Sequence, residues 1–172
     1  MHKKLDAIKL LVLDVDGVLT DGGLYVGSEE NHDFKRFSIK DGLGLKLAMH
    51  AGLEVAIISG HRSEATRRRF SALGVEDVIV GAEDKRRPFA DLLEKHGLSP
   101  ENAAVMGDDL PDIPLLGVAG FAITVPDAPD EVKAVADHVT ERHGGHGAVR
   151  EVVELVLKAQ GRWGRVMEHF TS

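Results

Sequence analysis

Short apolar runs alternate with helical patterns along this chain, and that alternation limits its fold more than any other feature. "KLLVLDV" (9–15), "EVAIIS" (54–59), "EDVIVG" (76–81), "NAAVMG" (102–107) and "GFAITV" (120–125) are rich in Val, Ile or Ala and do not alternate with polar residues. Runs of this kind suit the strands of a parallel sheet covered on both faces. Helical segments lie between and after them. The segment 41–52 ends at Gly52, 63–74 opens with Ser63 and closes with Gly74, and 86–97 closes with Gly97. Ser before a helix and Gly after it are end signals. The segment 129–136 carries Pro in its first turn, where it is tolerated. The segment 147–160 places Val149, Val152, Val153, Val156 and Ala159 on one face.

The order β-α-β-α-β-α-β-α-β predicts an α/β fold: a doubly wound, mostly parallel, Rossmann-like sheet with right-handed crossovers. One segment departs from it. Residues 22–39, "GGLYVGSEENHDFKRFSI", read as a β-hairpin insertion. The apolar Tyr25, Phe34 and Phe37 on it suit a subunit interface. The 172 residues fit one domain spanning 1–172, with no linker or repeat. The tail "RWGRVMEHFTS" reads as loosely held.

Composition excludes several classes. There is no cysteine, so disulfides and thiolate metal sites are ruled out, and the chain suits a reducing, cytoplasmic compartment. A net charge of −7 argues against a general nucleic-acid binder. The apolar stretch Leu10–Leu13 stops at Asp14, too short for a signal core, and no run is long enough to span a membrane.

Doubly wound sheets bind ligands at the carboxyl ends of their strands. There the first strand brings Asp14 and Asp16, the second Ser59 and Gly60, and the fourth Asp108 and Asp109, with Asp112 close behind. Lys85 follows the third strand at a helix start. Any one of these residues could be a helix cap or a solvated charge. Four segments converging on one edge point to phosphoryl transfer. Asp14 can attack phosphorus and form an aspartyl-phosphate. Asp16 can protonate the leaving oxygen and then activate water. Asp14 and Asp108 can ligate Mg²⁺, a hard ion that prefers oxygen ligands. Ser59 and the Gly60 amide can hold phosphate oxygens, and Lys85 can offset the developing charge.

Two other readings of the acidic residues fit less well. An EF-hand loop starting at Asp14 would need a ligand where Val18 stands. A receiver-like regulatory domain would carry its phosphorylated Asp after the third strand, where this chain has "VIVGAED".

"DVDGVLTDG", "IISG", Lys85 and "GDDLPD", in this order and spacing, resemble the four motifs of the haloacid dehalogenase superfamily of phosphatases. With "DGLGLKL" and "GGHGAVREVVELVLKAQG", the chain is similar over about 8–161 to the branch that acts on 3-deoxy-D-manno-octulosonate 8-phosphate. The resemblance implies a Mg²⁺-dependent phosphomonoesterase of lipopolysaccharide synthesis, without a large cap domain. It also implies a homotetramer assembled by the hairpin, with active sites near subunit interfaces. By position, Asp14 would be nucleophile, and Asp16 acid/base with its carbonyl on the metal. Asp108 would be the third ligand. Asp109 and Asp112 would support the metal site and orient Lys85, and Thr20 would be a pocket residue.

The chain departs from this branch at His61 and His146, where the resemblance places arginines that reach the sugar carboxylate or the neighbouring pocket. An arginine is always charged and grips a carboxylate with two bonds, whereas an imidazole is not. Arg62 and Arg150 are the candidates to compensate. Another acidic sugar phosphate, such as a nonulosonate 9-phosphate, is the alternative substrate. Arg67, Arg68 and Arg69 fan around one helix as a solvated face, and one of Arg86 and Arg87 is a candidate to face an anion.

Overall fold

The computed structural model describes residues 2–25 and 33–171. Its centre is one sheet of six parallel strands in the order β3-β2-β1-β4-β5-β6. The strands are β1 (Leu10–Leu13), β2 (Glu54–Ser59), β3 (Asp77–Val80), β4 (Ala103–Met106), β5 (Phe121–Thr124) and β6 (His138–Val139). The helices are α1 (His2–Asp6), α2 (Ile39–His50), α3 (Glu64–Leu73), α4 (Arg86–His96), α5 (Ile113–Leu116), α6 (Asp130–Val135), α7 (Ala148–Ala159) and α8 (Trp163–Thr171). The sheet is wholly parallel among the described residues. The short β6 extends an edge that the apolar runs do not show.

β1 is central because its four residues are apolar and pair on both sides. Leu11 lies opposite Val55 of β2 and Ala104 of β4, and every side chain of β1 is buried. Covered on both faces, such a strand gains nothing from alternation, which is why its sequence shows none. The valine face of α7 is fully buried, as expected from its spacing. α3 closes on Gly74 in the left-handed conformation, and Ser63 caps its start by accepting from the Thr66 amide at 3.0 Å.

The tail is helical rather than loose. α8 buries Val166 against the body, and the Trp163 ring lies under Arg150 and Lys158. Of the hairpin expected over 22–39, residues 26–32 lie outside the described residues. Its flanks, 22–25 and 33–38, carry no strand pairing. Instead of a ladder, side chains tie 33–38 to the body: Asp33 to Ser63 and Ala65, Lys35 to Asp16, and Arg36 to Asp21. Residues 14–38 alone separate β1 from α2, and among the described residues no cap domain stands there.

Candidate active site

The carboxyl edge of the sheet gathers four charged residues from three segments. Asp14 continues β1, its amide donating to the Met106 carbonyl at 3.0 Å, so its side chain leaves the sheet where the core ends. Lys85, at the start of α4, donates to Asp14 Oδ1 and Asp112 Oδ1, each at 2.6 Å. All three side chains are almost wholly buried. The other Asp112 oxygen accepts from the Asp108 and Asp109 amides at 3.1 and 3.3 Å. Asp112 thus fixes the loop after β4 and aims Lys85 at Asp14.

Asp108 completes the cluster. Oxygens of Asp14, Asp108 and Asp112 lie within 4.8 Å of one another. Gly17, at φ +92°, makes room for it: a Cβ there would stand 2.0 Å from Asp108 Oδ2. The glycine after the aspartate pair is therefore required by both backbone and space. Burial pushes Asp14 up to about 6, against the opposing pull of Lys85. Burial, with the charges of Asp14 and Asp112 beside it, pushes Asp108 up to about 8. Burial works against the Lys85 ammonium, but the two carboxylates outweigh it and hold its pKa above the usual lysine value.

Three carboxylates facing one ammonium leave the pocket short of positive charge. The donors are all oxygen, the set a hard divalent cation takes. Both Asp112 oxygens are already engaged, so Asp14 and Asp108 are the carboxylates with room for a metal ion.

The loop after β1 is tightly organised. The Thr20 hydroxyl donates to the Val15 carbonyl at 3.3 Å and accepts from the Gly17 and Gly22 amides at 3.3 and 3.2 Å. Thr20 is buried and serves the loop that carries Asp16. The glycines of "GGHG" pack onto the same loop. The Gly145 amide donates to the Val18 carbonyl at 3.0 Å, and a Cβ on Gly144 would stand 1.7 Å from the Gly17 carbonyl oxygen.

The remaining predicted residues divide. Ser59 is buried at the end of β2, where its hydroxyl accepts from the His61 amide at 3.2 Å. Gly60 is exposed beside it. Asp16 and His61 line an open cavity of about 650 Å³ with Lys35 and Arg62. Asp109 is exposed and accepts from the Leu110 amide at 2.8 Å, and its charge adds to the upward push on Asp108. Arg86 forks onto Asp84 and lies outside that cavity. His146 Nε2 accepts from Arg36 at 3.2 Å, which leaves Nδ1 to donate to the Gly144 carbonyl at 2.8 Å.

Two residues escaped the sequence reading. Lys35 pairs with Asp16 and is almost buried. A lysine between the apolar Phe34 and Phe37 was its only signal. Asp41 is buried and accepts from the Gly147 and Arg150 amides at 3.1 and 2.8 Å. It caps α7 across 106 positions of sequence, supplying what the Gly147 N-cap lacks. Burial raises its pKa against those hydrogen bonds. An Asp in the first turn of its own helix gives no hint of this role.

A parallel sheet whose central strand ends in a carboxylate, with a lysine and two further carboxylates closing on it, is the frame of a Rossmann-like α/β hydrolase. Residues 82–152 match the family model of haloacid dehalogenase-like hydrolases. The 3-deoxy-D-manno-octulosonate 8-phosphate phosphatase KdsC of Haemophilus influenzae is 41% identical over 162 residues, 94% of this chain and 89% of that protein. The Escherichia coli KdsC is 43% identical over 159 residues, 92% of this chain and 84% of that protein. The Moraxella catarrhalis phosphatase, solved with magnesium, phosphate and a KDO molecule, superposes with a TM-score of 0.94 at 41% identity, covering 98% of this chain and 97% of that one. The cobalt-bound Haemophilus influenzae structure superposes at 0.88 with 42% identity, covering 92% of each chain. The chain belongs to the haloacid dehalogenase-like hydrolases, in the family of these phosphatases. It is a phosphomonoester hydrolase, and the receiver-like alternative falls away.

Proposed function

We propose that this chain hydrolyses 3-deoxy-D-manno-octulosonate 8-phosphate to the free sugar acid and phosphate, with Mg²⁺. The observation that carries the reading is the buried Asp14–Lys85–Asp112–Asp108 cluster at the sheet edge. The Escherichia coli and Haemophilus influenzae relatives bear the name of that activity, and the Moraxella catarrhalis structure holds magnesium, phosphate and KDO.

In this reading an Asp14 oxygen attacks phosphorus and the bond from phosphorus to the sugar oxygen breaks. Asp16 gives its proton to that leaving oxygen. Asp16 then takes a proton from water, whose oxygen attacks the aspartyl-phosphate and frees Asp14 and inorganic phosphate. Lys85 holds a fixed positive charge at the attacking carboxylate, where it can also meet the phosphoryl oxygens. Ser59 and the Gly60 amide would hold the phosphoryl oxygens, and Thr20 supports the loop. Asp14, Asp108 and the Asp16 carbonyl would hold Mg²⁺, which when bound offsets negative charge on the transferring group.

The reading extends to the whole chain as one domain, 1–172, in the cytoplasm. We take it to form a homotetramer. Leu24, Tyr25, Phe34, Ile39 and Leu43 are exposed apolar residues within and beside the hairpin segment, the kind of surface a partner subunit covers.

The test is phosphate release with Mg²⁺ from octulosonate 8-phosphate, a nonulosonate 9-phosphate and neutral sugar phosphates, in wild type and Asp14→Asn. The reading expects octulosonate 8-phosphate to win, and Asp14→Asn to lose about 10⁴-fold or more. A nonulosonate 9-phosphate in first place would transfer the same chemistry to the other sugar acid. Turnover surviving in Asp14→Asn would remove Asp14 as nucleophile.

A further inference from the structure

The cavity beside Asp16 must receive the part of the substrate that is not phosphate, and its charges are unequally available. Three side chains that can be cationic line it: Lys35, His61 and Arg62. Lys35 is committed to Asp16 and almost buried in that pair. An imidazole is a cation only when protonated, and it cannot fork onto a carboxylate. Arg62 makes no hydrogen bond or ion pair among the described residues.

The course of Arg62 is nonetheless fixed. Its stem lies across Gly81, just past β3: a Cβ there would stand 2.6 Å from Arg62 Cγ and 2.9 Å from Nε. Gly81 has φ +78°, so the backbone that makes this room is one other residues rarely adopt. Two carboxylates near it line the same cavity, Asp33 and Glu64. Glu64 makes no ion pair with it among the described residues, and Asp33 is engaged elsewhere. Its Oδ2 accepts from Ser63 Oγ at 2.7 Å and from the Ala65 amide at 2.9 Å. Arg62 is therefore a permanent charge with a seated stem, opening on the cavity that Asp16 lines.

Arg150, the other candidate raised by the sequence, is excluded by position. Its Nε donates to Glu154 at 2.9 Å, its guanidinium lies over Trp163, and it faces a separate groove with Lys40 and Glu151.

We propose that Arg62 binds the substrate carboxylate and sets the preference for a sugar acid over a neutral sugar phosphate, in the place of an arginine at position 61. This rests on the substrate reading above. Two parallel N–H···O bonds from a guanidinium to a carboxylate are strong and directional, and a neutral sugar cannot reproduce them.

The experiment compares kcat/KM for octulosonate 8-phosphate with that for arabinose 5-phosphate, which has no carboxylate, in the Mg²⁺-loaded enzyme. In Arg62→Ala the ratio of the two should fall by about 30- to 100-fold, mainly through KM for the sugar acid. Arg62→Lys should recover part of it, since it keeps the charge and loses the fork. Arg150→Ala should leave the ratio within about threefold. A wild-type ratio near one would overturn the substrate reading, and this inference with it. A large wild-type ratio that survives in Arg62→Ala, or that falls in His61→Ala instead, would overturn Arg62 alone. A mere folding defect in Arg62→Ala would lower both substrates together and leave the ratio intact, which also counts against the proposal.

Discussion

The sheet edge and the rim above it hold their charges in different ways. At the edge, Lys85 bonds two carboxylates at 2.6 Å with all three side chains buried. Asp14 directly continues β1, Lys85 opens α4 and Asp112 closes the turn after β4, so regular backbone decides where each points. At the rim, Asp33 reaches from one irregular segment to the start of α3, and Lys35 and Arg36 reach the loop after β1. There the side chains hold the backbone. The edge is suited to chemistry that every substrate shares, and the rim to choosing among substrates. Loops carried by a rigid scaffold commonly take that second task.

Removing the lysine tests the edge most severely. Lys85→Met should lower turnover by about 10²- to 10³-fold, by loss of a charge next to the reacting group. It should also destabilise the metal-free protein by about 3 kcal/mol, because two buried carboxylates lose the cation that bonds them both. Denaturant unfolding in EDTA measures this, and added Mg²⁺ should return part of the loss. Equal stability of variant and wild type in EDTA would mean that the edge is not one closed network.

Gly144→Ala attacks the join between edge and rim. Its Cβ would meet the Gly17 carbonyl at 1.7 Å, so the loop carrying Asp16 must move. A cost of about 3 kcal/mol in unfolding free energy is expected, with a clear fall in kcat. Retained kcat would show that the loop can shift without disturbing Asp16. Asp41→Ala should cost less, about 2 kcal/mol, by leaving the Gly147 and Arg150 amides without their acceptor. Asp41→Asn, which keeps an acceptor oxygen, should recover about half. Equal losses in Ala and Asn would assign the effect to the charge rather than to the cap.

How far each region could be read from the sequence follows from the same contrast. Asp14, Lys85, Asp108 and Asp112 were legible because unbroken apolar runs locate strand ends, and a doubly wound order sends those ends to one edge. The mostly parallel sheet expected from the same runs is wholly parallel among the described residues, and β6 was missed because two residues are too few to show a period. The rim was not legible. Lys35 reaches Asp16 across 19 positions, and Asp41 reaches Gly147 across 106, and no local pattern records either contact. Nor did the expected hairpin show in the described flanks, where Asp33 and Arg36 spend their side chains on the body instead of facing a partner strand. The helix α8 was read as a loose tail because "RWGRVMEHFTS" lacks end signals. Its cation-ring contacts to α7 hold it instead.

The weakest tie gives the finest test. Asp33 joins the rim segment to the start of α3. Burial works against its charge, but the bonds from Ala65 and Ser63 outweigh it and hold its pKa below the usual aspartate value. A carboxylate lowered on folding stabilises above its unfolded value, about 4, and loses that contribution as pH falls through the lower folded value. Acid should therefore release the rim while the core remains. The Ala65 amide resonance should shift below about pH 4 in wild type. In Asp33→Ala it should sit at the released position at every pH. The cost at neutral pH should be about 0.5 kcal/mol, since the side chain is exposed. The Ala119 amide, held by the Leu115 carbonyl at 3.1 Å and with no acidic neighbour in sequence, is the internal control. If both amides moved together, rim and body would open as one unit, and the division between them would fail.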